Sequence, residues 1–376
     1  MAYMVTIDDV RTALSGVIDP EIQMPITDLK MVDDIQVDEQ ANVSVRILLT
    51  ISGCPLATTI EADARRAVEG LEGVGEVSIE MGSMNDEQRE ALRAKLRGGS
   101  APVNPFAQKD SLTRVYAVTS GKGGVGKSSV TANLAVALAA EGLKVGVVDA
   151  DIYGFSIPRM LGVTEPPTQV DNMIIPPVAH GVKVISIGMF VPDNTPVVWR
   201  GPMLHRALEQ FFSDIFWGDL DVLLLDLPPG TGDIAISCAQ LIPHSEVLIV
   251  TTPQVAAAEV AERSGQLAKQ TNQRVVGVIE NMSYLVMPDG SKNHIFGEGG
   301  GDLVASELSN ELGYNVPVLG QIPLEVALRE GGDSGTPIAI AEGDSPAQQT
   351  LRSVASTLAH RGRGLAGRPL GVQPTR

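Results

Sequence analysis

Gly121-Lys122-Gly123-Gly124-Val125-Gly126-Lys127-Ser128 is the stretch on which the reading of this 376-residue chain turns. It fits G-x-x-x-x-G-K-[ST] at every fixed position. An apolar run, Val115–Thr119, precedes it and a helix-compatible run, Ser129–Ala140, follows it, which is the strand–loop–helix setting the motif needs. The glycines let successive backbone N–H groups turn inward as an anion cradle, and the start of a helix adds its dipole. Lys127 then reaches the β- and γ-phosphates of a nucleotide triphosphate, and Ser128 offers its hydroxyl to Mg2+. Gly121, Lys122, Gly123, Gly124, Val125 and Gly126 form the wall of the cradle.

Working outward, short apolar runs alternate with helical segments. Strands are expected at Val115–Thr119, Lys144–Asp149, Lys183–Gly188, Val222–Asp226, Val247–Thr251, Val275–Ile279 and Val316–Leu319. Several are apolar on both faces, as strands buried in a parallel sheet are. The alternation implies a doubly wound, mostly parallel α/β domain over residues 113–361. Upstream, residues 1–96 read as a small α+β unit. Thr6 caps a helix with Asp8 and Asp9 in its first turn, where carboxylates are favoured. Strands at Asp33–Asp38 and Val43–Thr50, a helix at Leu56–Leu71, a strand at Val74–Met81 and a polar helix at Asn85–Leu96 follow. Residues 97–112, rich in Gly, Pro, Ser and Ala, read as a linker, and the Gly- and Arg-rich residues 362–376 as an unfolded tail.

Composition removes several function classes. Lys+Arg is 28 against 45 Asp+Glu, a net charge of −17, which works against any polyanion partner, so no nucleic acid is expected. Arg361, Arg363, Arg368 and Arg376 allow only weak contact with an anionic surface. No apolar stretch reaches the roughly 18–20 residues of a membrane span, and the opening MAYMVTIDDV lacks a basic segment followed by an apolar one, so a cytoplasmic protein without membrane partners is expected. Two cysteines, Cys54 and Cys238, exclude a disulfide scaffold.

Two acidic strand ends extend the phosphate site. Val147-Val148-Asp149-Ala150-Asp151 places two carboxylates on one face of an extended chain, and Asp149 is a candidate for the Mg2+ shell. Leu223-Leu224-Leu225-Asp226 is a Walker B strand whose Asp226 holds Mg2+ through water. Lys122, a second lysine inside the loop, resembles the deviant Walker A motif of the nitrogenase-iron-protein, Min and Par ATPases. The resemblance implies that Lys122 reaches the nucleotide of a partner protomer, as an arginine finger does, and that Asp151 positions the attacking water.

Further segments narrow the resemblance: Asp151–Pro158, Trp199–Met203, Trp217–Asp221, Asp226-Leu-Pro-Pro-Gly-Thr-Gly-Asp233, Thr252-Pro253-Gln254, Ile279-Glu-Asn-Met-Ser283 and Ile295-Phe-Gly-Glu-Gly-Gly-Gly301. Together they are similar to the Mrp/ApbC family of iron–sulfur cluster carrier P-loop ATPases. Asp19-Pro20-Glu21 and Gly53-Cys54-Pro55-Leu56 make the first unit resemble a MIP18-like domain. The resemblance implies an ATP-hydrolysing homodimer that holds a [4Fe–4S] cluster and passes it to apoproteins, with Asn281 reading the adenine edge. One departure matters. The family carries Cys-x-x-Cys between its Asn-Met-Ser and Ile-Phe-Gly segments, where this chain has Met287 and Gly290; neither supplies the thiolate a cluster needs. Of the two cysteines, Cys238 reads as a small buried hydrophobe. Cys54, ahead of a helix start that lowers a thiol pKa, is the candidate cluster ligand. His294 reads as a solvated loop residue. Phe211, Phe212, Phe216 and Trp217 read as one apolar helix face. The competing reading is a nucleotide switch without a cluster, acting through partners bound by residues 1–96.

Overall fold

The computed structural model describes residues 5–50, 56–97, 103–108, 110–152, 154–190, 201–254 and 258–361. Cys54, Tyr153, Trp199, Arg200, part of the linker and the tail lie outside them. In the N-terminal unit, α1 (Ile7–Leu14) opens with the expected cap: Thr6 Oγ1 accepts from the Asp9 N–H and Asp9 Oδ2 from the Thr6 N–H. β1 (Val32–Val37) pairs antiparallel with β2 (Val43–Leu49). Helix α2 (Ala57–Glu69) then carries the chain over to β3 (Val77–Ser83), parallel to β2, and α3 (Asp86–Arg97) closes the unit. Val10, Leu14, Val45, Ile47, Ile60 and Ala64 form its core.

The second unit runs β4 (Arg114–Thr119), α4 (Lys127–Ala140), β5 (Val145–Asp149), α5 (Ile157–Met160), a hairpin β6 (Thr168–Val170) and β7 (Met173–Ile175), then β8 (Val178–Ala179) and β9 (Val182–Ser186). It continues through α6 (Gly201–Ser213), β10 (Val222–Asp226), α7 (Asp233–Leu241), β11 (Glu246–Thr251), α8 (Ala258–Thr271) and β12 (Val275–Asn281). A second hairpin, β13 (Leu285–Val286) and β14 (Lys292–Asn293), precedes α9 (Gly300–Leu312), β15 (Val318–Ile322), α10 (Val326–Ser334) and α11 (Pro346–Ala359). The large sheet has the order β15-β12-β11-β4-β10-β5-β9-β8. Every pairing is parallel except that of β8 with β9. Strands β5, β9, β10 and β12 are buried along their whole length. Helices cover both faces, with Leu134, Leu138, Leu351 and Leu358 on one side and Phe212, Trp217 and Cys238 on the other. From β4 the chain winds outward through α4 to β5; from β10 it crosses through α7 to β11 on the far side of β4. The strand order therefore reverses at β4, and the crevice above its carboxyl end is where a doubly wound sheet binds ligands.

Some expectations need correction. The last strand is Val318–Ile322, not Val316–Leu319. Phe211 and Phe212 lie on α6, but Phe216 and Trp217 lie beyond its end; the four are packed as core without sharing a helix face. Phe106, in the linker stretch, is buried edge-on against Phe212 and Trp217. Arg361, counted with the tail arginines, makes a two-pronged pair with Glu246 at 2.8 and 3.0 Å.

The two units share a core through β6–β7, a hairpin no sequence pattern announced. Val170, Met173 and Ile175 are buried among the N-terminal unit's apolar side chains. Ile174, facing the other way, packs with the second unit, and its backbone bonds to Asp214 O and Phe216 N–H. Asp171 at the hairpin turn pairs with Arg89 and Arg93 of α3 at 3.9 and 3.5 Å. Beside the hairpin, Asp19 and Glu21 are buried, with Thr168 Oγ1 donating to Glu21 Oε1 at 3.4 Å. Burial, and then the Asp19 charge, pushes the Glu21 pKa up to about 7. Burial, and then Lys144, pulls the neighbouring Lys183 down to about 8, against the opposing pull of Asp19 and Glu21.

Candidate nucleotide-binding site

The phosphate loop leaves β4 at Thr119 and enters α4 at Lys127. The α4 N-cap is Gly126, which has no side chain to satisfy the first helical N–H groups; those donors are left for an anion. Gly126 also has φ +77°, and a Cβ there would lie 2.3 Å from Asn281 Nδ2, so both its backbone and its surroundings demand glycine. The Walker B turn braces the loop from below: the Gly230 N–H donates to Ser120 O at 2.7 Å.

Lys127, Ser128 and Asp226 come together. Lys127 Nζ is 2.7 Å from Asp226 Oδ1, and Ser128 Oγ donates to Asp226 Oδ2 at 2.6 Å. A third donor was not foreseen: Thr131 Oγ1 lies 2.8 Å from Asp226 Oδ1. The signal was present, since Thr131 follows Lys127 by four residues and so shares its helix face. A buried carboxylate beside a hydroxyl is a hard oxygen donor set that suits Mg2+.

Asp149 is placed differently from its expectation. It is fully buried at the end of β5, in register with Asp226. It accepts backbone N–H bonds from Asp151, Ser156 and Ile157 at 3.2, 2.9 and 3.1 Å. Its carboxylate thus ties down the loop that follows β5 rather than lying open to a metal. Burial, and then the Asp226 charge, raises its pKa to about 7. Asp151 sits half-buried just past the strand end, with its side chain against Gly154.

Lys122 does not join this cluster; its Nζ donates to Gln254 Oε1 at 2.6 Å. Asn281, at the end of β12, donates from Nδ2 to Val125 O at 2.9 Å, while its buried Oδ1 has no partner among the described residues. A free acceptor beside the phosphate loop fits the exocyclic amino group of adenine. Gly299 is the N-cap of α9, whose first two residues are Gly300 and Gly301. Gly300 packs on Thr252 and Pro253, and the Gly301 N–H donates to the buried Glu280 carboxylate at 2.6 Å.

Met287 and Gly290, which stand where the resemblance implies a Cys-x-x-Cys pair, sit at the tip of β13–β14: the Met287 N–H donates to Ser291 O, and the Gly290 N–H to Met287 O. His294 is exposed beside Tyr284. Cys238 is buried in α7, its thiol pKa pushed up to about 12. Among the described residues no group of three or more His, Cys, Asp or Glu is placed to hold a metal ion, and no helix is long and apolar enough to cross a membrane.

This geometry agrees with what the chain is similar to. Residues 111–359 match the profile of the NUBPL iron-transfer P-loop NTPase family. The chain belongs to that family. Residues 7–80 match a second profile, described as an iron–sulfur cluster assembly protein, which is the expected MIP18-like unit. A Mycobacterium tuberculosis protein named iron–sulfur cluster carrier protein is 61% identical over 368 residues, 98% of this chain and 97% of that one. A Bacillus subtilis protein of the same name is 43% identical over 324 residues, covering 86% and 89% of the two chains. Among solved structures, a nucleotide-binding protein from Archaeoglobus fulgidus in complex with ADP is 34% identical, covering 67% of this chain and 91% of its own, with a TM-score of 0.51. The family assignment confirms the P-loop NTPase reading made from residues 121–128.

Proposed function

We propose that this protein binds and hydrolyses ATP and carries iron–sulfur clusters to apoproteins, working as a homodimer in the cytoplasm. The convergence of Lys127, Ser128 and Asp226 above β4 carries the nucleotide part of this reading. The name shared by relatives that span almost the whole chain supports the cargo.

Lys127 turns from Asp226 to the β- and γ-phosphates. Ser128 and Asp226 would hold Mg2+, which when bound would offset the charge of the triphosphate. The free N–H groups at the start of α4 and the loop from Gly121 to Gly126 cradle the phosphate oxygens. Asn281 accepts from the adenine amino group. Asp151 orients the attacking water, and the loop that bears it is anchored through Asp149. Lys122 leaves Gln254 and crosses to the partner's nucleotide, where a cation supplied in trans is worth about 10³-fold or more in rate.

Cys54 is the proposed thiolate ligand for the cluster cargo. The second reading, a nucleotide switch with no cluster of its own, is favoured by one observation: Met287 and Gly290 occupy the hairpin tip in place of the family's cysteine pair. Anaerobic reconstitution with iron and sulfide separates the two. Iron retained by the wild type and lost in Cys54→Ala supports the carrier with a relocated ligand; iron retained by neither supports the switch. For the nucleotide, Lys127→Ala abolishes tight ATP binding, whereas Lys122→Ala spares binding and slows turnover. Equal turnover in wild type and Lys122→Ala removes the trans-lysine role.

A further inference from the structure

Thr131 lies one helical turn into α4 and is fully buried. Its hydroxyl is 2.9 Å from the Lys127 carbonyl oxygen and 2.8 Å from Asp226 Oδ1. A hydroxyl has one proton and can donate to only one of these acceptors at a time. Among the described residues, Asp226 Oδ1 is shared by Lys127 and Thr131, and Oδ2 is held by Ser128. The proposed function calls two of these three groups away: Lys127 to the phosphates and Ser128 to the metal. Asp226 would then keep one protein donor. It is fully buried, and the Asp149 carboxylate stands in register beside it. An ionised carboxylate in that position needs a hydrogen-bond donor on the oxygen that faces the protein.

We propose that Thr131 is the positioning residue for Asp226. Its proton commits to Asp226 Oδ1 when Lys127 leaves and fixes the carboxylate with Oδ2, the oxygen it shares with Ser128, turned to the metal side. The Lys127 carbonyl that Thr131 releases remains an ordinary helix acceptor. Thr131 touches neither phosphate nor metal; it acts through Asp226. This inference rests on the ATP–Mg2+ reading of the same site.

The test is calorimetric titration of the full chain with ATP, once with excess Mg2+ and once with EDTA, on the wild type, Thr131→Val and Thr131→Ser. Valine keeps the shape and removes the hydroxyl; serine keeps the hydroxyl. The expected result is a loss of roughly tenfold or more in Mg2+-supported affinity for Thr131→Val, the scale of one hydrogen bond to a buried charge. Affinity in EDTA stays within about threefold of wild type, because Ser128 still holds Asp226. Thr131→Ser recovers the Mg2+-supported affinity. Equal losses with and without Mg2+ overturn the proposal, because a merely structural role moves both alike; so does no loss in either. If valine lowers the melting temperature, Thr131→Ala repeats the comparison without the added bulk. If wild-type affinity is itself indifferent to Mg2+, the reading of the site fails and takes the proposal with it.

Discussion

Replacing Glu21 with glutamine probes how the N-terminal unit is joined to the ATPase unit. Glu21 is 8% exposed at the junction, near Thr168 of the inserted hairpin and the charges of Asp19 and Lys183. Its carboxyl titrates at about 7 in the folded protein against an ordinary value of 4.5. Between those values the folded chain holds a proton that the unfolded chain has lost. The contribution is therefore fully present below about pH 4.5 and declines as pH rises to about 7. At about 1.4 kcal/mol per pH unit, the loss across that window is about 3 kcal/mol. Asp19, also raised by burial, acts in the same direction. Lys183, lowered to about 8 from 10.5, acts oppositely at higher pH: stability grows as pH rises through that alkaline range. Glu21→Gln carries no titrating proton. Urea unfolding followed by circular dichroism between pH 4.5 and 7.5, at constant ionic strength, should show wild-type stability falling with pH and the variant falling much less. At pH 7.5 the variant should be the more stable by up to about 3 kcal/mol. Parallel pH profiles for the two proteins would refute the burial argument at this junction.

Three further outcomes follow from the packing. Met173→Ala empties a position 1% exposed inside the shared core, and calorimetry should find the protein less stable by about 2–5 kcal/mol; an unchanged melting profile would mean that the hairpin is not seated there. Gly126→Ala forces a left-handed backbone and a contact 2.3 Å from Asn281, so an ATP titration should show at least a tenfold loss of affinity by the cost of such strain. Retained affinity would contradict the close loop–Asn281 packing. Cys238→Ala should leave the iron content after reconstitution unchanged, because a buried thiol titrating at about 12 supplies no thiolate near neutral pH; loss of iron would make Cys238 a ligand after all.

Much of this was legible before any coordinates. Residues 121–128, Asp226 and the apolar strands that carry them were readable because each signal is local: glycines for a tight loop, an apolar run for a buried strand, an acid at its end. The capping box at Thr6 and Asp9 is of the same kind. The role of Asp149 was not readable, and Thr131 was readable only as far as sharing a helix face with Lys127. Asp149 looked like a metal-side carboxylate until three backbone N–H groups from residues up to eight positions away closed on it. Nothing in the spacing named Asp226 as the partner of Thr131; that contact exists because α4 packs over β10 and brings Asp226 within reach.

The junction of the two units makes the same division. The chain's own pattern announced two units with a Gly- and Pro-rich stretch between them, because composition changes along the sequence. It held no sign that a hairpin from the second unit would complete the core of the first. Each strand of that hairpin is three residues long, too short to show periodicity. Val170, Met173 and Ile175 find apolar partners more than 70 residues away in the chain. Local propensity and motif spacing thus settled the sheet and the phosphate loop. Which buried charges face one another, and which unit grips which, depended on long-range packing, because burial energy is set by neighbours in space that the order of residues does not name.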